Sequence, residues 1–351
     1  MITPATFQKK LLQWFDQYGR KQLPWQLNKT PYRVWVSEIM LQQTQVQTVI
    51  PYFEKFMRVF PTLKSLSEAS INDVLHLWAG LGYYSRARNL HHAAKKMMSE
   101  FNGNLPKDIK ALTSLPGIGP STAGAITAIA FQLKATILDG NVKRVLARIH
   151  GITQPINEKK TEALLWQLAI KYTPKNRIAD YTQAIMDLGA TLCTRRQPLC
   201  TSCPYLKFCI TYNQQLTEII PTKKANKKLP VKSANFLFIM TNQTCFLEKR
   251  PLKGIWGGLW SVPEWSANIE DETLQTYLKS IFQVSAKNIQ RLNTIKHTFT
   301  HYHLNIQPIV IHLKNKPRKK LDPNTQIWYN PNMPATIGLP KPISDFMRSL
   351  T

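Results

Sequence analysis

Acidic residues are scarce in this chain. Its 351 residues include only 20 Asp+Glu against 46 Lys+Arg, which gives a formal net charge of +26. Such an excess of one sign repels itself in a compact state and is typical of proteins that bind an anionic partner. The charge therefore favours nucleic acid as the partner, although charge alone leaves open a merely basic soluble protein.

Long hydrophobic runs are also missing. No stretch approaches the roughly 18 uninterrupted apolar residues of a membrane span, and the N-terminus lacks the basic and apolar regions of a signal peptide. Hydrophobic residues make up 43% of the chain and charged residues 19%, as in globular rather than disordered proteins. The length predicts about two domains, and we expect neither a membrane protein nor a secreted one.

Cysteine is rare and unevenly placed. Four of the five cysteines, Cys193, Cys200, Cys203 and Cys209, lie within seventeen residues, and Cys245 stands alone in an apolar run. A disulfide framework would spread along the chain, so the clustered four indicate a metal or cluster site in a reducing compartment. Their C-x6-C-x2-C-x5-C spacing leaves zinc as the generic alternative, although the x6 interval departs from the usual C-x2-C pairs. Cys245 is interpreted as a small core residue.

The pattern along the chain changes after Pro221. Residues 1–220 show helical periodicity with short connections, and residues 221–232 form a linker with five lysines, two prolines and no acid. Residues 233–351 combine strand-like and helical patterns, which predicts an α+β domain. The predicted helices begin at Thr3-Pro4, Thr30-Pro31 and Ser70 and continue over 85–101, 107–114, 120–131, 141–149, 158–171 and 271–282; the predicted strands cover 235–240, 245–249 and 306–313.

A glycine-rich turn separates two predicted helices in the sequence Leu115-Pro-Gly-Ile-Gly-Pro-Ser121. Gly117 and Gly119 allow backbone amides to approach an anion, and the following helix N-terminus favours negative charge. A helix-hairpin-helix uses such a turn, here at about 112–131, to hold a DNA phosphate without reading sequence. An ordinary interhelical turn is the alternative interpretation.

Two carboxylates stand out from their surroundings. Asp139 comes just before a basic helix, where it is either a helix cap or a carboxylate facing a developing positive charge. Glu38 lies in an otherwise apolar and amide-rich helix, where it is either partly exposed or desolvated with a raised pKa.

Together these motifs resemble the helix-hairpin-helix DNA glycosylases, and within them the MutY-type adenine DNA glycosylases, over most of the chain. The resemblance implies a mainly α fold, a body of two helical lobes over 1–220, with one 4Fe–4S cluster on the loop 193–209. It also implies that residues 233–351 form a Nudix-like α+β domain that recognises 8-oxoguanine.

The resemblance further assigns roles to residues of the helical body. Glu38 would be the general acid, Asp139 would stabilise the sugar cation, and Glu38 or Asn141 would position water. Ser121 stands where bifunctional relatives carry a Schiff-base lysine, which implies a monofunctional enzyme. Substrate contacts are implied for the hairpin glycines Gly117 and Gly119, for Trp25, Gln43, Thr44 and Gln183 near the adenine, and for Tyr83 as the intercalating wedge.

In the C-terminal half, Gly254 to Glu264 resembles the Nudix-like domain of this family. Phe299, Thr300 and His301 match its Phe-Ser-His loop, with threonine in place of serine. Because the glutamate-rich helix of a working Nudix hydrolase is missing, a nucleotide-pool hydrolase is rejected. Three histidines around this loop could alternatively indicate a metal, but no acid or cysteine accompanies them.

The resemblance therefore implies a monomeric base excision repair enzyme of the cytoplasm or nucleoid. It would hydrolyse the N-glycosidic bond of adenine opposite 8-oxoguanine or guanine in double-stranded DNA. One rival is an endonuclease III-like glycosylase and lyase, against which Ser121 and the C-terminal domain both argue. The other is a DNA-binding module that senses oxidants, which would need neither Glu38 nor Asp139.

Overall fold

The computed structural model describes residues 2–222, 228–265, 269–315, 317, 320–333 and 336–350. Helices begin where the sequence predicts them, because the side chains of Thr3, Thr30 and Ser70 each accept a hydrogen bond from a backbone N–H of the first turn. In chain order the helices before residue 222 are α1 (Pro4–Tyr18), α2 (Pro31–Leu41), α3 (Val46–Val59), α4 (Leu63–Glu68), α5 (Ile71–Leu77), α6 (Ser85–Glu100), α7 (Ile109–Thr113), α8 (Pro120–Phe131), α9 (Gly140–Ile149), α10 (Lys159–Tyr172), α11 (Ile178–Thr191) and α12 (Ile210–Asn213).

Helices α3, α4 and α11 lie in the region predicted to be helical but were not delimited from the sequence. Helix α3 contains Pro51, a residue that removes one backbone hydrogen bond from a helix interior and normally signals a break. Burial of Val49, Phe53 and Phe56 on one face of α3 offsets that loss. Tertiary packing therefore maintains a helix that local propensity disfavours.

The helical core is built around the inner face of α1. Phe7 is fully buried, and its ring stacks on Tyr205 and Tyr172 with centroid distances of 4.6 Å and 4.2 Å. Side chains of α8 to α11 complete the same cluster. Gly189 of α11 is required by a close approach, since a Cβ there would lie 2.6 Å from the Cβ of Asn141 on α9. The packing thus fixes α9 against α11.

The C-terminal residues form a mixed sheet with two helices. The central strands β1 and β7 pair in parallel, with Leu237 opposite Ile309, and both are longer than predicted. The predicted helix over 271–282 is confirmed, and Leu274, Leu278 and Phe282 pack against the sheet. The order along the main path is β3-β2-β1-β7-β5, and the described elements are β1 (Val231–Thr241), β2 (Thr244–Lys249), β3 (Trp260–Ser261), β4 (Glu264–Trp265), α13 (Asp271–Phe282), β5 (Ala286–Arg291), β6 (Ile295–Thr298), β7 (His303–Leu313), β8 (Gln326–Tyr329) and α14 (Lys341–Ser349).

Contacts divide the chain into two compact units. The first unit comprises Met1–Glu68 and Asn89–Asn226, and the second comprises Ala69–Arg88 and Lys227–Thr351. The sequence analysis placed the segment Ala69–Arg88 with the helical half. The strand β1 begins within the predicted linker, at Val231, and residues 223–227 of that linker lie outside the described residues. Over the described part of the chain, no helix combines the length and apolarity that a membrane crossing requires.

Candidate functional site

Glu38 lies in the middle of α2, half-buried between the buried side chains of Trp35 and Ile39. Burial raises the pKa of Glu38 to about 8, and the negative charge of Asp139 contributes to the same shift. The sequence left open whether Glu38 is partly exposed or desolvated with a raised pKa, and the structure supports the second interpretation. A carboxyl group with this pKa holds its proton at neutral pH and can act as a general acid.

Asp139 is the N-cap of α9. Its carboxylate accepts hydrogen bonds from the backbone N–H of Val142 at 2.8 Å and from Nδ2 of Asn141 at 3.2 Å. Burial raises the pKa of Asp139, whereas these hydrogen bonds and the charge of Arg144 oppose the rise. The capping role is thus present, and it places the carboxylate within electrostatic reach of Glu38.

Arg144 is a residue of this region that the sequence analysis did not single out. Its Nε donates to the carbonyl of Cys193 at 2.6 Å, and its Nη2 donates to Oδ1 of Asn141 at 2.8 Å and to the carbonyl of Gly189. The only signal in the sequence was the basic character of the helix after Asp139. The Arg144 guanidinium therefore connects α9 with the end of α11 and with the start of the cysteine loop.

The two glycines of the glycine-rich turn have different surroundings. Gly117 adopts φ +81°, and a Cβ there would lie 2.9 Å from the side chain of Asn89. Gly119 is the N-cap of α8, and the space around its missing Cβ is open within 4 Å. Oγ of Ser121 accepts the backbone N–H of Leu138 at 3.0 Å, so the first turn of α8 supports the residue before Asp139.

The C-terminal end of α2 contacts the same hairpin through Gln42, a residue that the sequence analysis did not select. Nε2 of Gln42 donates to the carbonyl of Gly117 and to Oγ1 of Thr122, both at 3.2 Å. Gln43, which the analysis did select, adopts φ +58°, and Thr44 follows it in the turn after α2. The helix that carries Glu38 is thus hydrogen-bonded to the hairpin.

Trp25 and Gln183 occupy different surroundings within the first unit. Trp25 is buried and its ring packs edge-on against Phe53, with a centroid distance of 5.5 Å. Gln183 lines a cavity of about 350 Å³, whose lining includes neither Trp25 nor Glu38. This cavity therefore contains Gln183 without the other two side chains.

Gln183 also belongs to a buried polar group that the sequence did not reveal. Its Nε2 donates to Oδ1 of Asp187 at 3.0 Å. The fully buried carboxylate of Asp187 accepts Nη2 of Arg20 at 2.6 Å and the backbone N–H of Arg20 at 2.9 Å. A buried charge needs such partners, and Arg20 is separated from Asp187 by 167 positions, so no local pattern could predict the pair.

The four clustered cysteines all line one apolar cavity, together with Arg148. They are free thiols, and Nη1 of Arg148 lies 3.5 Å from Sγ of Cys193. Their side chains do not form a ready-made ligand cage, because no group of three His, Cys, Asp or Glu side chains is arranged to hold a metal ion within the described ranges. Four thiols around one cavity, with a guanidinium to offset thiolate charge, nevertheless match the donor set of a cysteine-held cluster.

Four predicted site residues of the second unit come together. Tyr83, Phe299, Thr300 and His301 line one cavity of about 950 Å³. The ring of Phe299 packs against Trp256, with a centroid distance of 5.3 Å. Tyr83 is 41% exposed and adopts φ +50° at the turn before α6. The cavity therefore has an aromatic residue on each of two chain segments that are more than 200 residues apart.

Comparison with known proteins agrees with this two-part architecture. Residues 36–171 match the family described as HhH-GPD superfamily base excision DNA repair protein, and residues 235–349 match the NUDIX domain. The resemblance to glycosylases and the mainly helical fold with a Nudix-like α+β domain are thereby confirmed. Helix α8 and the turn before it, which form the hairpin, lie within the first match.

One relative of similar length matches nearly the whole chain, and other proteins match large parts of it. An adenine DNA glycosylase of Buchnera aphidicola subsp. Baizongia pistaciae is 41% identical over 350 residues, which cover 99% of this chain and 98% of that relative. The human adenine DNA glycosylase is 33% identical over 362 residues, covering 86% of this chain and 66% of the human protein. A thermostable thymine-DNA glycosylase of known structure is 27% identical with a TM-score of 0.55, covering 60% of this chain and 97% of that one. The chain therefore belongs to the adenine DNA glycosylases, enzymes of base excision repair.

Proposed function

We propose that this enzyme removes adenine paired with 8-oxoguanine or guanine in double-stranded DNA and leaves both strands intact. The observation that carries the proposal is the pair formed by Glu38 and Asp139. One carboxyl group is protonated at neutral pH because its pKa is about 8, and the second carboxylate lies close enough to contribute to that value. Enzymes that break a glycosidic bond commonly use two neighbouring carboxyl groups, one of which donates a proton.

The proposed chemistry begins with protonation of the base. Glu38 gives its proton to N7 of a flipped adenine, so the base leaves with the bonding electron pair as a neutral species. The sugar then carries positive charge, which the Asp139 carboxylate stabilises or captures covalently. Glu38 or Asn141 positions the water that attacks the sugar, and the ionised Glu38 carboxylate takes the proton that this water loses. If Asp139 has bonded to the sugar, its carboxylate leaves with the electrons of that bond as the water adds.

The absence of strand cleavage follows from Ser121. A lyase step needs an amine that forms an imine with the opened sugar, and a hydroxyl cannot form that bond. Oγ of Ser121 is in addition occupied as the acceptor of the Leu138 N–H. This residue therefore supports the turn that carries Asp139 and does not act as a nucleophile.

DNA contacts are assigned to both units. In the first unit, the open hairpin at Gly117 and Gly119 binds a phosphate through backbone amides. Gln43, Thr44, Trp25 and Gln183 are assigned to the space around the flipped base. In the second unit, Tyr83 enters the base stack, and Phe299, Thr300 and His301 contact the base opposite adenine. The hydroxyl of Thr300 takes the role that a serine hydroxyl has in relatives.

A 4Fe–4S cluster completes the proposal, with Cys193, Cys200, Cys203 and Cys209 as the residues that would hold it. When bound, such a cluster fixes the fold of its loop and can exchange single electrons. The Arg148 guanidinium, which donates to the carbonyl of Thr194 at 2.6 Å and lies beside Sγ of Cys193, holds the loop from the protein side. We further propose that the enzyme acts as a monomer in the cytoplasm, at the nucleoid.

A single-turnover incubation tests the proposal. The substrate is a duplex with one adenine opposite 8-oxoguanine, and each time point is analysed with and without hot alkali. Strand breaks that need alkali are expected, because excision leaves an alkali-labile sugar. Breaks without alkali would show a lyase and contradict the monofunctional mechanism. Tight binding with no breaks under either condition would contradict the glycosylase activity itself.

A further inference from the structure

The segment Ala69–Arg88 lies in the sequence between helices of the first unit but packs as part of the second. Hydrogen bonds between described residues attach it there. Nη1 of Arg88 donates to the carbonyl of Gly257 at 2.6 Å, and Oη of Tyr84 donates to the carbonyl of Leu339 at 3.3 Å. Nδ1 of His76 lies 3.0 Å from the carbonyl of Ile337. The attachment therefore uses side chains of this segment and backbone carbonyls of the C-terminal domain.

Gly338 allows the segment to approach closely, and Gly258 lies beside Arg88 at ordinary van der Waals distance. Gly338 faces Leu75, whose Cβ would lie 3.0 Å from a Cβ at the glycine. Gly258 adopts φ +76°, and a Cβ there would lie 3.7 Å from Cδ of Arg88. The aliphatic stem of Arg88 thus packs on the same loop that accepts its hydrogen bond.

The turn between α5 and α6 is held in one conformation from within the segment. Nη2 of Arg86 donates to the carbonyls of Leu81 and Gly82 at 3.3 Å and 3.1 Å, and Nε1 of Trp78 donates to Gly82 at 3.1 Å. The guanidinium of Arg86 also lies over the ring of Tyr83, at 5.5 Å from its centroid. Because these contacts hold the turn together, the position of Tyr83 depends on the residues that attach the segment, Arg88 among them.

We propose that Arg88, assisted by Tyr84, is a positioning residue that sets the discrimination between 8-oxoguanine and guanine opposite adenine. This inference rests on the proposed function. Tyr83 and the loop of Phe299, Thr300 and His301 line one cavity, and the Arg88 attachment fixes the separation between these two walls. When the distance between the two walls is no longer fixed, the cavity binds the base opposite adenine less tightly if recognition of that base depends on both walls. The chemistry at adenine itself is not directly affected.

The test compares Arg88→Met with Tyr84→Phe in the full-length protein. Methionine keeps an apolar stem for packing on Gly258 but removes the donor to Gly257. The measured quantity is the ratio of single-turnover excision rates on two duplexes, with adenine opposite 8-oxoguanine and opposite guanine. A fall in this ratio of about ten-fold is expected for Arg88→Met and of about three-fold for Tyr84→Phe, because a charge-assisted hydrogen bond is worth more than a neutral one. Arg58→Met, which removes an exposed arginine on α3, is the matched control and should leave the ratio unchanged.

A second readout does not depend on activity. Hydrogen–deuterium exchange of residues 78–84 in the free protein should be faster in Arg88→Met than in the wild type, because the turn loses its anchor. An unchanged ratio or an unchanged exchange rate would overturn the inference. Equal loss of binding to both duplexes, with a shallower salt dependence, would show that Arg88 contacts a phosphate and would also overturn it. If the wild type excises adenine at the same rate from both duplexes, there is no discrimination for Arg88 to set and the inference is overturned, whereas the proposed function fails only if adenine is excised from neither duplex.

Discussion

Arg144 joins the carbonyl of Cys193 to the side chain of Asn141, with hydrogen bonds of 2.6 Å and 2.8 Å from the same guanidinium. Asn141 in turn donates to the carboxylate of Asp139. The first clustered cysteine is thus connected to the proposed catalytic aspartate through two side chains. Because this guanidinium is partly withdrawn from water, its hydrogen bonds hold these groups more firmly than exposed ones would.

Replacement of Arg144 by methionine should therefore change the titration of Asp139. The positive charge of Arg144 and the hydrogen bond from Asn141 both lower the pKa of Asp139 against the effect of burial. Without them the pKa rises further, so the acidic limb of the pH–rate profile should move to higher pH. We expect the excision rate at neutral pH to fall at least ten-fold, as is typical when the residues that orient a reacting group are lost. The control is Lys143→Met, which removes a different cation from the same helix, one that pairs with Glu162. Identical pH–rate profiles for the two variants would refute the influence of Arg144 on Asp139.

Glu38→Gln should abolish excision while duplex binding changes little. The amide has nearly the shape of the carboxyl group but has no acidic proton to give to adenine. In the wild type the rate should decline as the pH rises through about 8, because Glu38 then loses its proton. Single-turnover rates between pH 5 and 9 measure excision, and binding to an uncleavable duplex measures affinity, so that a loss of catalysis can be told from a loss of binding. Equal loss of binding and of turnover would instead assign Glu38 to DNA binding.

The raised pKa of Glu38 also predicts a pH dependence of stability. The folded protein holds the Glu38 proton up to about pH 8, whereas the unfolded chain releases it near the ordinary value of 4.5. The contribution of Glu38 is therefore fully present below pH 4.5 and is lost as the pH rises toward 8, by at most about 1.4 kcal/mol per pH unit. Urea unfolding at a series of pH values should show this decline in the wild type and a flatter curve in Glu38→Gln. Parallel curves would mean that Glu38 titrates alike in both states.

The sequence predicted the helix starts well because their determinants are local. Thr3, Thr30, Ser70 and Asp139 each supply a side-chain oxygen to the first turn of a helix. The state of Glu38 could not be decided in the same way. Its burial depends on how α2 packs, and the second contribution to its pKa comes from Asp139, about one hundred residues away.

Tertiary contacts explain the other features that the sequence did not reveal. Nothing in the composition of residues 69–88 separates them from the helical half, because their assignment to the second unit depends on contacts with loops near residues 257 and 338. The extension of β1 to Val231 has a similar origin, since its first three residues are exposed, lie at the end of a lysine- and proline-containing stretch and join the strand by pairing with β7. Whether such a segment becomes a strand is decided by a pairing partner that lies far along the chain.

Salt should weaken binding steeply if the net charge of +26 serves DNA binding. Each phosphate neutralised by a lysine or arginine releases condensed counterions, so an enzyme with about six to ten phosphate contacts should lose about 10³- to 10⁵-fold in affinity between 50 and 200 mM salt. Fluorescence anisotropy with a labelled duplex measures the slope, and a non-specific duplex of equal length serves as the control. A flat response would show that the basic residues have another purpose.

Stability of the first unit should depend strongly on the ion pair of Arg20 and Asp187. The carboxylate is fully buried, whereas the arginine is 28% exposed. Removal of the cation leaves a buried charge with two donors among the described residues, the side chain of Gln183 and one backbone N–H. We expect Arg20→Met to lower the free energy of unfolding by about 3 kcal/mol. Arg177→Met removes an arginine that is 45% exposed and pairs with Asp16, and its expected cost is below about 1 kcal/mol. Urea unfolding followed by circular dichroism measures both variants under the same conditions. Equal losses would mean that burial does not make this ion pair more important for stability than the exposed one.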